Sequence, residues 1–340
     1  MLSPDTRTAG SLFLAHRLPA MTDAATSRTV GSLRVSPLCL GGNVFGWTAD
    51  EAASFAVLDA FEAAGGTFVD TADAYSAWAE GNTGGESETI IGRWLKRGGP
   101  SRRGEMVIAT KAGAHPDYRG LSADTIKRAC EASLRRLDTD YIDLYYTHVD
   151  DESVEVSEII AALDELVAEG KVREIGVSNI SPARLAASLE FSEAESKARY
   201  VAIQPKYHLL SRETYEGELA ALAARYGLAA MPYSALASGF LTGKYRPGQR
   251  VDSPRADRAS QYLETERGQR VLAALDDVAS ARGAEMAAVA LAWLAAQPTV
   301  AAPIASARTP EQLPPLLAAA GLTLTAEELA LLTEASQPAG

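Results

Sequence analysis

Asp70, Tyr75, Lys111 and His148 are residue types from which a proton donor for a developing oxyanion can be built. A free phenol, with a pKa of about 10, is a poor acid near neutrality. An adjacent ammonium favours the phenolate and draws that value down, so Lys111 beside Tyr75 is expected to make a usable general acid. Asp70 is expected to pair with Lys111 and keep it charged in a partly buried place. A neutral His148 would hydrogen-bond the reacting oxygen and align it. None of the four histidines has a neighbouring ligand at a metal-site spacing, so no metal is expected.

These groups need elements that bring them together across the chain. Asp70, Tyr75, Lys111, His148, Ser178-Asn179, Gln204 and Tyr233 fall, in order, at the ends of apolar runs at 67–69, 106–109, 141–146, 172–177, 200–203 and 228–232. Helical character separates the runs. A repeating order of strand, chemistry, helix describes a parallel (β/α)8 barrel, whose active site lies at the C-terminal ends of several strands. Singly, Asp70 reads as a loop cap, Lys111 as a solvated rim charge, Tyr75 as packing and His148 as a core histidine. Four such unrelated roles at four strand ends are improbable together.

The remaining chain supports the same layout. Residues 31–38 alternate and predict an N-terminal β-hairpin; 39–45 predicts a first strand ending in Gly41-Gly42-Asn43. Thr48 is expected to cap the first helix, and further helices are expected over 87–96, 122–137, 156–169 and 212–226, with Pro182 opening the fifth. Residues 234–265, rich in Gly, Pro, Ser, Arg and Asp, predict a long lid after strand seven without a core strand. Helices over 266–282 and 284–297 follow, then strand eight over 300–304, a helix beginning at Thr309 and a last one capped by Thr325.

The 340 residues are 47% hydrophobic and 22% charged, and their length suits one barrel with insertions spanning 29–340. A net charge of −12 without a lysine- or arginine-rich run argues against a nucleic-acid partner. No apolar stretch reaches membrane-spanning length. Two cysteines, Cys39 and Cys130, fit a reducing cytoplasm. Residues 1–28 read as a disordered leader, with Met21 as an alternative start.

Phe68-Val69-Asp70-Thr71-Ala72-Asp73-Ala74-Tyr75 resembles the strand-two signature of the aldo-keto reductases. Ser133-Leu134-Arg135-Arg136-Leu137-Asp138-Thr139-Asp140-Tyr141-Ile142-Asp143-Leu144 resembles their segment before the active-site histidine. Gly170-Lys171-Val172-Arg173-Glu174-Ile175-Gly176-Val177-Ser178-Asn179 is similar to their strand five. Tyr233-Ser234-Ala235-Leu236, Leu241-Thr242-Gly243-Lys244-Tyr245 and Thr309-Pro310-Glu311-Gln312-Leu313 resemble later blocks in the family's order.

The resemblance implies reduction of an aldehyde or ketone with NADPH, NADH being possible, and Asp70, Tyr75, Lys111 and His148 as the catalytic four. No Gly-x-Gly-x-x-Gly opens a βαβ unit, so a Rossmann domain is not indicated; the resemblance implies instead a nicotinamide lying across the barrel mouth. Ser178, Asn179 and Gln204 would meet its carboxamide and Tyr233 would stack on the ring, with Asn43 and Asp70 also among the cofactor-binding residues. Ser234, Leu236, Ser238, Gly239 and Lys244 match the pyrophosphate stretch. Ser306, Arg308 and Gln312 match positions near the adenosine ribose and its phosphate, where an arginine suits a 2′-phosphate. A glycine or lysine is common where Ser306 stands, and a Glu-Asn pair where Pro315 and Leu316 stand; their replacement bears on adenine binding and cofactor preference.

Val44, Phe45, Trp47 and Trp78 would bound the substrate pocket, although Trp47 and Trp78 equally suit loop anchors. The partner is a small carbonyl compound, with a homo-oligomer left open. Two alternatives stand beside this reading: a cofactor-binding regulatory subunit like the potassium-channel β subunits, and a barrel aldolase using Lys111 as a Schiff-base amine. The first requires a membrane partner, to which nothing in the chain points. Asp70 and Tyr75 beside Lys111 argue against the second.

Overall fold

The computed structural model describes residues 27–338. Met21 and almost all of the segment read as a leader lie outside the described residues, and Arg28 already belongs to a strand. Strands β1 (Arg28–Val30) and β2 (Leu33–Val35) pair antiparallel around Gly31, whose φ of 57° suits the turn. Their inward Val30, Leu33 and Val35 pack on Cys39, Phe68, Val107 and Leu144, which closes the N-terminal end of the barrel.

The barrel strands are β3 (Cys39–Gly41), β4 (Phe68–Asp70), β5 (Val107–Ala112), β8 (Ile142–Thr147), β9 (Val172–Ser178), β10 (Tyr200–Gln204), β11 (Ala229–Ala230) and β12 (Ile304–Ala305). All neighbouring pairs are parallel, in the order β11-β10-β9-β8-β5-β4-β3-β12. The ring closes where Ala230 bridges Val300 and the Ala301 N–H donates to the Ala230 carbonyl at 2.9 Å. A small antiparallel pair, β6 (Ala114–His115) and β7 (Tyr118–Arg119), follows β5.

Helices α1 (Glu51–Ala63), α2 (Glu86–Glu105), α3 (Ala123–Leu137), α4 (Val156–Ala168), α5 (Pro182–Ala194) and α6 (Glu218–Tyr226) surround the strands. The lid holds α7 (Ala256–Ser260) between two 3₁₀ turns, Ala237–Thr242 and Gln261–Glu264, and no strand. Then come α8 (Glu266–Arg282), α9 (Met286–Ala295), α10 (Leu313–Ala318) and α11 (Ala326–Ala335), the last opened by a Thr325–Glu328 capping box. Among the described residues no single helix is long and apolar enough to cross a membrane.

The two-residue period of a strand places the chemistry. Asp70 shares the inward parity of Phe68, and Lys111 that of Val107 and Ala109, while Val69, Ile108 and Ala112 face the helices. Asp70 is in register with Ala109, so the two polar groups emerge at the same end of adjacent strands.

Several boundaries differ from expectation. Asp50, not Thr48, caps α1, its carboxylate accepting from the Ala53 N–H at 2.8 Å. The first strand stops at Gly41, because residues 42–49 turn back on Val44. Helix α2 runs beyond residue 96, broken at Gly99 (φ 72°), since the residue before Pro100 is driven out of helical conformation. The sixth helix starts at Glu218 rather than at residue 212, where Arg212 instead forks onto Glu216 at 2.8 Å. Strands seven and eight shrink to two residues each, and α9 is shorter than the expected 284–297.

Candidate active site

At the end of β4 the Asp70 carboxylate accepts from Lys111 Nζ at 2.7 Å. The same ammonium donates to the Thr71 carbonyl at 2.7 Å and to the Tyr75 hydroxyl at 2.8 Å. Tyr75 in turn donates to Asp70 Oδ2 at 3.2 Å. Both charged side chains are buried, so each is held in one geometry. Past β8, the His148 backbone N–H donates to the Ala112 carbonyl at 2.8 Å, and its ring lies 5.9 Å from that of Tyr75 at 75°. Burial, helped by the Lys111 charge, lowers the imidazole to about 3, which keeps it neutral. Its Nδ1 is buried and meets no hydrogen-bond partner among the described residues.

The phenol corrects one expectation. Lys111 does not draw Tyr75 down: burial, followed by the Asp70 carboxylate, pushes the phenol well above its ordinary value. The carboxylate that anchors the ammonium also faces the phenol, and without water the phenolate loses its solvation. Lys111 itself is pulled down by burial, with Asp70 opposing. The site thus rests with a protonated phenol.

A chain of hydrogen bonds runs outward from this centre. Gln204 Nε2 donates to Asp70 Oδ1 at 2.8 Å, and Ser178 Oγ to the Gln204 carbonyl at 2.8 Å. Asn179 Nδ2 donates to the His148 carbonyl at 2.8 Å and to Ser178 Oγ at 3.0 Å, and the Tyr233 hydroxyl to Asn179 Oδ1 at 2.8 Å. Ser178 and Gln204 are buried in this network rather than displayed on the surface.

Above it opens a cleft of about 820 Å³. Asn43, Val44, Trp47, Asp70, Tyr75, Trp78 and Tyr233 line one part; Ser234, Leu236, Ser238, Gly239, Lys244, Ser306, Arg308 and Gln312 line the rest. Phe45, expected on the wall, is 0% exposed and packs in the core behind it, with Ser76 Oγ bonded to its carbonyl. Ser306 Oγ donates to Asn43 Oδ1 at 2.6 Å, and Gln312 Oε1 accepts from the Arg308 N–H at 2.8 Å, so Gln312 also holds the turn that carries Arg308. Pro315 and Leu316 line this end with apolar surface.

Two arginines of the lid, Arg255 and Arg258, also line the cleft and were not singled out in the sequence; the arginine-rich composition of 234–265 was the available signal. With Lys244 and Arg308 they make four cations on one cleft. Among the described residues none of these four side chains has a carboxylate partner within ion-pair distance. Burial and the neighbouring arginines lower Lys244 and Arg255 below their ordinary values. In a chain of net charge −12, such a cluster calls for a polyanion. Beside it, Ser234, Ala237, Ser238 and Gly239 have φ of 55°, 48°, 59° and 95°, in tight turns where the Ala237 and Gly239 N–H groups donate to the Ser234 and Leu236 carbonyls. The cleft therefore suits a ligand with phosphates at one end and a polar flat ring at the other, as a nicotinamide dinucleotide has.

A second group escaped the sequence reading. Asp73, fully buried, meets no hydrogen-bond partner at either carboxyl oxygen among the described residues. Burial, then Glu88, pushes it well above the usual carboxylate range. Arg136 is already held by Glu88, at 2.6 Å.

The sequence model of the aldo/keto reductase family matches residues 37–337. The chain belongs to that family. It is 37% identical over 310 residues to an uncharacterized oxidoreductase, YrpG, of Bacillus subtilis, covering 89% of this chain and 92% of the relative. It is 32% identical over 317 residues to the norsolorinic acid reductase stcV of Emericella nidulans, covering 88% and 78%. Protein tas of Escherichia coli is 33% identical over 327 residues, covering 88% and 93%. This aldo/keto reductase is thus an oxidoreductase of a family built on the (β/α)8 barrel.

Proposed function

We propose that this aldo/keto reductase uses NADPH to reduce an aldehyde or ketone to an alcohol, with Tyr75 as the proton donor. The observation that carries the reading is the convergence of Asp70, Lys111 and Tyr75 within 3.2 Å at the cleft, beside a neutral His148. The dinucleotide, when bound, supplies the hydride. Lys244, Arg255, Arg258 and Arg308 would hold its phosphates, and Asn179 and Tyr233 would face the nicotinamide, supported from below by Ser178 and Gln204. Arg308 is assigned to a 2′-phosphate, which favours NADPH over NADH.

The chain's own residues then handle the proton. His148 donates a hydrogen bond to the carbonyl oxygen and fixes its direction toward Tyr75. The Tyr75 hydroxyl swings from Asp70 to that oxygen and gives up its proton as charge develops there. Lys111, already 2.8 Å from the phenol oxygen, stabilises the phenolate left behind. Asp70 keeps Lys111 charged, and Gln204 keeps Asp70 in place. The neutral imidazole and protonated phenol are the forms this step requires. We place the enzyme in the cytoplasm, where the buried free thiols of Cys39 and Cys130 stay reduced.

Tyr75→Phe tests the reading, because it removes the proton and leaves the ring. The variant should lose about 10²- to 10⁴-fold in kcat for an aldehyde while binding NADPH nearly as the parent does. Retained turnover with lost NADPH affinity would overturn the assignment.

A further inference from the structure

The end of the cleft that holds Arg308 differs in chemistry from the end at Tyr75. Its walls include Ala287, in the first turn of α9, and Pro315 and Leu316 of α10. Helix α9 packs on α10 and on the 3₁₀ turn Ala237–Thr242. The start of α9 lies directly against the turn that carries Lys244: a side chain at Gly243, itself at φ 78°, would collide with Met286 Sδ. An apolar compartment is thereby fixed beside the cations, suited to a flat heterocycle attached to phosphates.

One polar side chain on this wall has no partner. Glu285 immediately precedes α9, and its carbonyl opens the helix by accepting from the Ala288 and Val289 N–H groups at 2.9 and 3.2 Å. Its carboxylate makes no capping bond and, among the described residues, no hydrogen bond or ion pair. The other acids lining the cleft are engaged, Asp70 by Lys111 at 2.7 Å and Glu311 by Thr309. Four cations without a carboxylate partner line the same cleft, yet Glu285 pairs with none of them. It is exposed on the wall and free to meet a ligand.

Resting on the dinucleotide-dependent reductase reading above, we infer that Glu285 reads the base of the cofactor, accepting a hydrogen bond from the 6-amino group of adenine while Ala287, Pro315 and Leu316 cover the ring. An ionised carboxylate only accepts hydrogen bonds, so it suits a 6-amino purine and sets oxygen against oxygen in a 6-oxo purine. A site built to accept an N–H rejects the analogue that lacks it. Pro315 and Leu316 have no side-chain donor or acceptor with which to share that task. Arg308 and its neighbours cannot perform it either, because two dinucleotides that differ only in the base carry the same phosphates. Selectivity for the base therefore falls on a residue at the junction of α8 and α9, distant in sequence from 306–316.

The probes are NADPH and reduced nicotinamide hypoxanthine dinucleotide phosphate, titrated into the full chain at pH 7.5 by quenching of tryptophan fluorescence. The quantity read is the ratio of their dissociation constants. The parent should bind NADPH about tenfold more tightly, the equivalent of one exposed charge-assisted hydrogen bond. Glu285→Ala should bring the ratio near one, chiefly by weakening NADPH. Glu285→Gln offers an amide N–H to the 6-oxo group and should bring the ratio near one by tightening the hypoxanthine dinucleotide. A substitution that merely loosened the junction would weaken both ligands alike and leave the ratio where it was. A parent ratio near one, or a ratio that Glu285→Ala leaves unchanged, overturns the assignment and leaves the reductase reading standing. Failure of the parent to bind either dinucleotide overturns the reductase reading itself.

Discussion

Replacing Lys111 by Met should destabilise the protein more than an ordinary core substitution, for an electrostatic reason. Its ammonium holds Asp70 at 2.7 Å, the Thr71 carbonyl at 2.7 Å and the Tyr75 oxygen at 2.8 Å, inside a wall that admits almost no water. At an effective dielectric constant near 20, opposite charges at that separation attract by roughly 6 kcal/mol, most of which offsets the cost of burying both. Met fills a similar length but leaves Asp70 charged and unpaired, with only Gln204 and Tyr75 donating to it. Stranding one partner of a buried pair costs about 3–5 kcal/mol, and that is the loss expected in urea unfolding at pH 7.5. Adding Asp70→Asn to Lys111→Met removes the stranded charge and should restore about 2 kcal/mol or more. A single variant within about 1 kcal/mol of the parent, or a double variant no more stable than the single one, would refute the reasoning.

Arg308→Ala should weaken NADPH binding about 10- to 100-fold, the equivalent of one charge-assisted hydrogen bond, and leave NADH binding nearly unchanged. Tryptophan-quenching titrations of both dinucleotides check this, and equal losses would mean that Arg308 supports its turn instead of reading a phosphate. Asp73 has a raised folded-state pKa, so the stability it contributes is present at low pH and fades as pH climbs above its unfolded value of about 3.9. The melting temperature of Asp73→Asn relative to the parent should therefore rise between pH 5 and pH 9, on the order of a titration of one group; a constant offset would count against it. His208, lowered by burial to about 3, is a base depressed by folding, whose contribution is full above about 6.5 and lost as pH falls toward its folded value. His208→Gln should flatten the acid loss of stability between pH 6 and pH 4 by up to about 1.4 kcal/mol per pH unit, measured by urea unfolding.

Much of this arrangement was legible in the order of residues. Apolar runs of strand length alternating with helical stretches predict a parallel barrel, because only that layout buries each run and each helix face in turn. Asp70, Lys111, Gln204 and Ser178 fall at strand ends with inward parity, and parity is a local property of the chain. Thr325 and Pro182 announced their helices for the same local reason.

Interactions between distant segments were decided only by the folded chain. No spacing shows that Asp70 and Lys111 share the phenol of Tyr75, so the direction of its shift, set by burial and a nearby carboxylate, was misread as downward. Phe45 and Trp47 are two residues apart and equally apolar, yet the turn at residues 42–49 sends one into the core and the other to the cleft. Arg255 and Arg258 joined Lys244 and Arg308 only when the lid folded back over the barrel mouth. The depth at which Asp73 is buried depends on α2 and α3 closing above it. Strand parity and helix caps are set by a few neighbouring residues, whereas desolvation and the field at a charge are sums over everything that surrounds it in space.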